Sequence, residues 1–150
     1  MKLNYEITID TGLDKVWAAF DNADNMGRWQ RNFQSYKPIS GRPGEPGAVA
    51  ELVFDEKGKT VVLRETITER REPDFLAGSY ESEHGTTIIV NHFEAIDAST
   101  TRWSSWCNFT FTGFMKFMSL FIGNVIRKRT EGDMQRFKLM VESDEANKQS

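Results

Sequence analysis

The chain has 150 residues, of which 27% are charged and 39% hydrophobic, and a formal net charge of −3. These values are ordinary for a globular protein and predict a single domain over residues 1–150. The mild negative charge argues against nucleic acid as a partner, because phosphate binding needs a basic face. The single cysteine, Cys107, excludes an intrachain disulfide, and the polar N-terminus does not resemble a secretory signal, so we expect a cytoplasmic protein. The longest apolar stretch, residues 117–126, is about half of the roughly twenty residues that a membrane span needs.

The first 31 residues predict one strand and two short helices. Apolar residues alternate over residues 1–9, which indicates a half-buried strand. Residues 11–14 resemble a helix start with Thr11 as the N-cap, and apolar residues follow at helical spacing. Residues 22–31 predict a second short helix.

Six further strands and one long helix complete the predicted elements. The strands lie at residues 33–40, 48–55, 60–70, 75–83, 86–96 and 101–112. Their short connections predict antiparallel hairpins, so we expect a seven-stranded antiparallel sheet. From residue 113 to 143 the hydrophobic period becomes helical, with Met134 and Phe137 expected in the core. The polar residues 143–150 predict a frayed tail.

This order of elements predicts an α+β fold that encloses free space. A seven-stranded sheet must cover one of its faces. One long helix with a single apolar stripe covers only part of that face, and two short helices add little. The mismatch predicts a cavity between the sheet and the helix.

The chain resembles the START-like superfamily, also called the polyketide cyclase/dehydrase and lipid-transport group. The resemblance covers nearly the whole chain and depends on the opening strand and residues 11–17, on Trp29, on the turn at residues 98–103 and on residues 133–138. It implies the helix-grip fold, a curved antiparallel sheet around a long C-terminal helix with an apolar cavity. Superfamily members include lipid and sterol carriers, plant hormone receptors, aromatase/cyclases and hydrolases. They share no catalytic set, so no catalytic residue is assigned here.

The last strand is the most informative part of the predicted cavity. Its more apolar face carries Trp103, Ser105, Cys107, Phe109 and Phe111, and we expect this face to point inward. Ser105 and Cys107 are small, so they leave a gap between large aromatic rings. Either a ligand or large side chains from the helix fill that gap. In the second case Cys107 is simply a small buried hydrophobe.

Polar residues on the preceding strands complete the predicted site, because ligand pockets combine apolar walls with a few convergent polar groups. Asn91 alternates with Ile89 and Phe93 and is expected to point inward, whereas His92 then points outward. The histidines and the cysteine have no metal-ligand spacing, and no cofactor is expected. The residues predicted to bind a ligand are Tyr80, Asn91, Phe93, Trp103, Ser105, Cys107, Phe109, Phe117 and Phe121.

Charged residues on the strand at residues 60–70 have two interpretations. Arg64, Glu65, Glu69 and Arg70 fit a solvated outer face with cross-strand charge pairs, which we favour. Alternatively, the carboxylates take part in acid/base chemistry.

The start of the long helix is apolar around most of its circumference. The apolar residues there are Phe114, Met115, Phe117, Met118, Leu120, Phe121 and Ile122. One packing face needs fewer apolar residues than this. The additional ones predict contact with the cavity entrance, a homodimer partner or a peripheral membrane surface. Coverage by the short helices and loops is the alternative.

Three functions are compatible with these patterns. The first is a carrier or sensor that binds an apolar or aromatic small molecule, such as a lipid or a polyketide-like or isoprenoid-like compound. The second is a cyclase/dehydrase-type or hydrolase-type enzyme that uses Tyr80, Asn91 or Glu65 for proton transfer. It requires at least two of these groups in one pocket and, for Glu65, a raised pKa. The third is an interaction protein that uses the apolar helix start.

Overall fold

The computed structural model describes residues 1–149 and confirms the predicted α+β architecture. The strands and helices are β1 (Lys2–Ile9), α1 (Leu13–Phe20), α2 (Met26–Trp29), β2 (Phe33–Ser40), β3 (Val49–Glu56), β4 (Lys59–Arg71), β5 (Phe75–Ser82), β6 (Gly85–Asp97), β7 (Thr100–Phe111) and α3 (Phe114–Gln149). The sheet is antiparallel, with the strand order β1-β7-β6-β5-β4-β3-β2. Strands β2 to β7 are therefore consecutive hairpins, and β1 closes against the last of them.

Helix α3 packs on the sheet through its C-terminal half, where Met134, Phe137, Met140 and Val141 are buried. The Phe137 side chain is completely buried. Its ring centroid lies 5.1 Å from that of Trp103 and 5.2 Å from that of Trp29. Met134 and Phe137 are thus core residues, as predicted.

The N-terminal helices differ from the prediction in two respects. Helix α1 is capped by Gly12 without a side-chain hydrogen bond, so Thr11 is not its N-cap. Thr11 is instead buried, and its carbonyl accepts a hydrogen bond from Thr101 Oγ1 at 2.7 Å. The second helix is a single turn preceded by a 3-10 turn at Ala23–Asn25. It ends early because Gln30 adopts extended backbone angles and Asn32 has a positive φ of 64°.

The C-terminal end of α3 is longer and more firmly held than predicted. The helix continues past residue 143 to Gln149. Asp144 accepts two hydrogen bonds from the Arg28 guanidinium at 2.8 and 2.9 Å, and Glu145 forms an ion pair with Lys15 at 2.7 Å. These contacts join the helix end to α1 and α2, so the expectation of a frayed tail from residue 143 is wrong. Ser150 lies outside the described residues.

A β-bulge in β4 changes which charged residues face the interior. The pairing of β4 with β5 shifts between Ile67 and Glu69, which adds one residue to β4. Glu65 is buried before the bulge. After it, Arg70 turns inward and donates two hydrogen bonds to Asp21 at 2.6 and 2.8 Å. The predicted solvated outer face is therefore wrong at Glu65 and Arg70.

The first three turns of α3 present an exposed apolar stripe. Its members are Phe114, Phe117, Leu120, Phe121 and Val125. Coverage of this stripe by the short helices and loops does not occur in the described part of the chain. Among residues 1–149, no helix combines the length and the apolar character needed to cross a bilayer.

Candidate functional site

A cavity of about 400 Å³ lies between the sheet and α3. Its floor comes from strands β3 to β7, and its roof from α2 and the middle of α3. Most lining residues are apolar, and their most prominent members are the aromatic side chains of Phe20, Trp29, Phe54, Trp103 and Phe109. The space left by one helix over a seven-stranded sheet is therefore not filled by side chains.

Six of the nine predicted residues line this cavity. They are Tyr80, Asn91, Trp103, Ser105, Cys107 and Phe109. The alternation along β7 places Trp103, Ser105 and Cys107 inward, and all three are buried. Ser105 and Cys107, the two small residues of the predicted gap, therefore both lie at the cavity wall.

The other three predicted residues do not line the cavity. Phe93 is a core residue with 1% of its surface exposed, and its ring stacks on Trp103 at 5.6 Å. Phe117 and Phe121 are 62% and 67% exposed, so the prediction that they border the cavity is wrong. The rotation of α3 explains why Phe117 and Phe121 are exposed. Gly123 faces Met1, which packs against the core, so this side of the helix points toward the sheet. At 3.6 residues per turn, Phe121 and Phe117 point roughly 160° and 120° away from that direction.

Asn91 and Trp103 hold each other in place on the cavity floor. The indole Nε1 of Trp103 donates a hydrogen bond to Asn91 Oδ1 at 3.0 Å, and both side chains are buried. Asn91 lies directly opposite Ser105 in the β6–β7 register. This pair therefore fixes the orientation of one aromatic wall of the cavity.

Cys107 is unsuited to nucleophilic chemistry despite its place in the cavity. Burial raises the pKa of its thiol to about 11, and the hydrogen bond with Ser105 only partly offsets this effect. The thiolate is the reactive form of cysteine. A thiol with this pKa stays protonated near neutral pH, which agrees with a small buried hydrophobe.

Glu65 and Tyr80 form a hydrogen-bonded pair at the cavity wall. They lie opposite each other in the β4–β5 register, and the Tyr80 hydroxyl donates to Glu65 Oε2 at 2.7 Å. Burial raises the pKa of the Glu65 carboxyl, and the Tyr80 hydrogen bond opposes that increase. Burial and the adjacent Glu65 raise the pKa of Tyr80 well above its usual value, so its hydroxyl stays protonated.

Gly78 lies beside this pair. A β-carbon at this glycine would lie 3.5 Å from Cε2 and 3.6 Å from the hydroxyl of Tyr80, and only 3.1 Å from the carbonyl oxygen of Thr66. The tightest of these contacts is with the backbone of β4, so a side chain at this position would press on Thr66 rather than on the Tyr80 ring. Thr87 lies opposite Tyr80 on β6 and extends the same row.

Three polar groups now meet in one cavity, since Glu65, Tyr80 and Asn91 all line it. The sequence interpretation missed Glu65 as an interior residue. The available signal was the alternation along β4, because Glu65 occupies the inward position between Leu63 and Ile67. The convergence and the raised pKa of Glu65 are the two features that an enzymatic function requires.

A charged cluster that the sequence did not indicate lines the α3 side of the cavity. The Arg129 guanidinium forms an ion pair with Glu56 and donates to the Arg31 carbonyl at 2.8 Å. Asp133 accepts from the Arg31 backbone N–H at 3.1 Å and pairs with Arg136. These bonds join the end of β3 to α3 and the segment after α2, and they neutralise Arg129 and Asp133 locally.

Solved structures with the same fold are similar to this chain over nearly its whole length. The Zhui aromatase/cyclase from Streptomyces sp. R1128 matches with a TM-score of 0.80 at 12% identity, covering 95% of this chain and 93% of that chain. A START superfamily protein from Mycobacterium smegmatis matches at 0.76 and 10% identity, covering 95% and 97%. Ara h 8.0201 matches at 0.75 and 17% identity, covering 95% and 98%. At these identities the likeness establishes the fold alone.

The family is established by the sequence. No curated protein matches the chain. A family model described as polyketide cyclase / dehydrase and lipid transport matches residues 1–142. With nearly the whole chain matched and the helix-grip architecture in place, this protein belongs to the polyketide cyclase / dehydrase and lipid transport family.

Proposed function

We propose that this protein binds an apolar or aromatic small molecule in the cavity, as a carrier or sensor. The lipid, polyketide-like and isoprenoid-like classes all fit the character of its walls. The observation that carries the proposal is the cavity of about 400 Å³ with aromatic walls and a few convergent polar groups. Small-molecule sites have this size and composition. The family description, which includes lipid transport, supports the same function.

Ser105 and Cys107 are the residues whose small size this function needs. Both are buried on the inward face of β7 and line the cavity. The rings of Trp103 and Phe109 flank them along the strand and would contact an apolar ligand on either side. A large residue in place of Cys107 would occupy the volume that the ligand needs.

We expect Cys107→Phe to weaken binding of the neutral fluorescent probe N-phenyl-1-naphthylamine by about tenfold or more, which corresponds to about 1.4 kcal/mol. The added ring enters the cavity, because Cys107 lies on its floor. The measurement is a fluorescence titration of the purified protein. Ser104→Phe is the matched control, since Ser104 precedes the inward-facing Ser105 and lies on the opposite face of β7. Equal affinity in wild type and Cys107→Phe would refute the cavity as the binding site.

A second candidate function is a cyclase/dehydrase-type or hydrolase-type enzyme, and the convergence of Glu65, Tyr80 and Asn91 favours it. Glu65 is suited to be a general base, because a raised pKa makes its carboxylate a stronger proton acceptor than an exposed one. Tyr80 remains protonated and orients the carboxylate through its hydrogen bond. The step would be removal of a proton from carbon next to a carbonyl group.

Deuterium exchange into 4-phenyl-2-butanone tests this second function. We expect the wild type to accelerate exchange next to the carbonyl by about a hundredfold or more, and Glu65→Gln to abolish that acceleration. NMR in deuterated buffer measures the rate. Glu51→Gln removes the same charge from a residue that alternates with the inward-facing Ala50 and Leu52, so it should have no effect. Exchange at the buffer rate in the wild type would leave ligand binding as the function.

Two further expectations remain predictions. A homodimer or peripheral membrane contact through residues 114–122 agrees with the exposed apolar stripe, but no described contact identifies what would cover it. The cytoplasmic location also stays a prediction.

A further inference from the structure

Glu65 is a buried acid without a basic partner. It is 7% exposed, and its one hydrogen bond is the one that Oε2 accepts from Tyr80. Within residues 1–149, no lysine, arginine or histidine forms an ion pair with it, and its second oxygen, Oε1, has no hydrogen-bond partner. Buried carboxylates are ordinarily paired, because an unpaired charge in an apolar setting is costly. Since Glu65 lines the cavity, a ligand can supply the missing partner.

The other charged groups of the cavity do not fill this role. Arg129 is held by Glu56 and by the Arg31 carbonyl, and Asp133 is held by Arg136. These four side chains therefore balance one another on the α3 side. Among the described carboxylates that line the cavity, Glu65 therefore has no positively charged partner.

The walls around Glu65 suit the same kind of group. The aromatic side chains of Phe20, Trp29, Tyr80, Trp103 and Phe109 line one continuous cavity with it. The faces of such rings attract organic cations, and the attraction is stronger where water is excluded. Aromatic walls with one unmatched carboxylate are a combination that recognises an ammonium group attached to an apolar body.

The Tyr80 hydroxyl is not free to donate to a ligand, because it already donates to Glu65 at 2.7 Å. That same bond stabilises the ionised form of Glu65. Oε1 therefore presents an acceptor, and an ammonium group both donates to it and supplies the opposite charge.

We propose that Glu65 Oε1 is the recognition site for an organic amine, whose ammonium group pairs with this carboxylate while its apolar body lies among the aromatic walls. The proposal deepens the proposed function and rests on it, because it names the chemical class of the ligand that the cavity takes. Tyr80 is the residue that holds the carboxylate in the orientation for this contact.

The test is a matched pair of probes, 4-phenylbutylamine and 4-phenyl-1-butanol, which differ in the ammonium and hydroxyl groups. Each displaces N-phenyl-1-naphthylamine from the wild-type protein near neutral pH, where the alkylamine is protonated. We expect the amine to bind about tenfold more tightly than the alcohol, or better, because it forms a buried charge pair. We expect Glu65→Gln, which is nearly isosteric, to lose that preference while its affinity for the alcohol stays within about threefold of wild type.

The outcomes separate this inference from the proposed function. Equal or tighter binding of the alcohol by the wild type would overturn the amine assignment and leave small-molecule binding intact. Failure of the naphthylamine probe and both competitors to bind would instead refute the proposed function.

Glu51→Gln removes a carboxylate from the other face of the sheet and should keep the amine preference. A loss there equal to that of Glu65→Gln would mean that net charge, not Glu65, attracts the amine. The wild-type comparison needs no variant, so it stands even if Glu65→Gln folds poorly.

Discussion

Replacing Phe137 with alanine should lower the free energy of unfolding by about 3–5 kcal/mol, as truncation of a fully buried aromatic residue does. The Phe137 side chain has no exposed surface. Its ring lies within 5.1–6.0 Å, between centroids, of the rings of Trp103, Trp29 and Phe20. The alanine variant therefore loses apolar burial and leaves a void where the helix meets the sheet. A urea titration followed by tryptophan fluorescence measures the loss.

Phe121→Ala is the control for this prediction. The same change on the same helix should cost less than about 0.5 kcal/mol, because Phe121 is 67% exposed and has few contacts to lose. The low cost follows from exposure to solvent, since Phe121 does not line the cavity. Equal losses at both positions would mean that the first turns of α3 are covered by another surface in solution.

Glu65→Gln should gain stability relative to the wild type as the pH rises. Burial raises the pKa of Glu65 in the folded state, so the folded chain holds this proton more tightly than the unfolded chain does. That contribution to stability is complete below the pKa of the unfolded chain and is lost as the pH rises through the higher pKa of the folded state. Glutamine does not titrate, so the variant avoids the loss. We expect the difference in free energy of unfolding between the two proteins to move in favour of the variant as the pH rises from acid to neutral.

Denaturant titrations at several pH values would measure this difference. Glu51→Gln, on the other face of the sheet, is the matched control for the removal of one carboxylate. A difference between Glu65→Gln and wild type that does not change with pH would show that Glu65 is not protonated more readily in the folded state. An unmatched carboxylate would then be ruled out, and with it the physical basis for recognition of an amine.

Two charged residues of β4 face the interior on either side of the bulge. Glu65 faces the cavity before the extra residue between Ile67 and Glu69, and the bulge then turns Arg70 toward Asp21 and the ring of Trp17. Arg70 is thus matched by Asp21, whereas Glu65 is matched only by a tyrosine hydroxyl. One strand therefore carries both a satisfied charge that stabilises α1 and an unsatisfied one that is available to a ligand.

The sequence by itself determined the architecture, because periodicity is a local property. Apolar residues recur every second residue in a half-buried strand and about every 3.6 residues in an amphipathic helix. Both patterns are visible without knowledge of the elements against which the strand or helix packs. They predicted seven strands, the long helix and the burial of Met134 and Phe137. They also predicted six residues of the cavity lining, since Trp103, Ser105 and Cys107 simply follow the pleat of β7.

Only the tertiary structure decided the chemistry of the cavity, because that depends on register and rotation between elements. The contact of Glu65 with Tyr80 follows from the register in which β4 pairs with β5. The exposure of Phe117 and Phe121 follows from the rotation of α3, which turns Gly123 toward Met1. A helix that is apolar around its circumference does not specify which side faces the sheet. That choice is made by packing across the interface, where Met134 and Phe137 of the same helix are buried in the core.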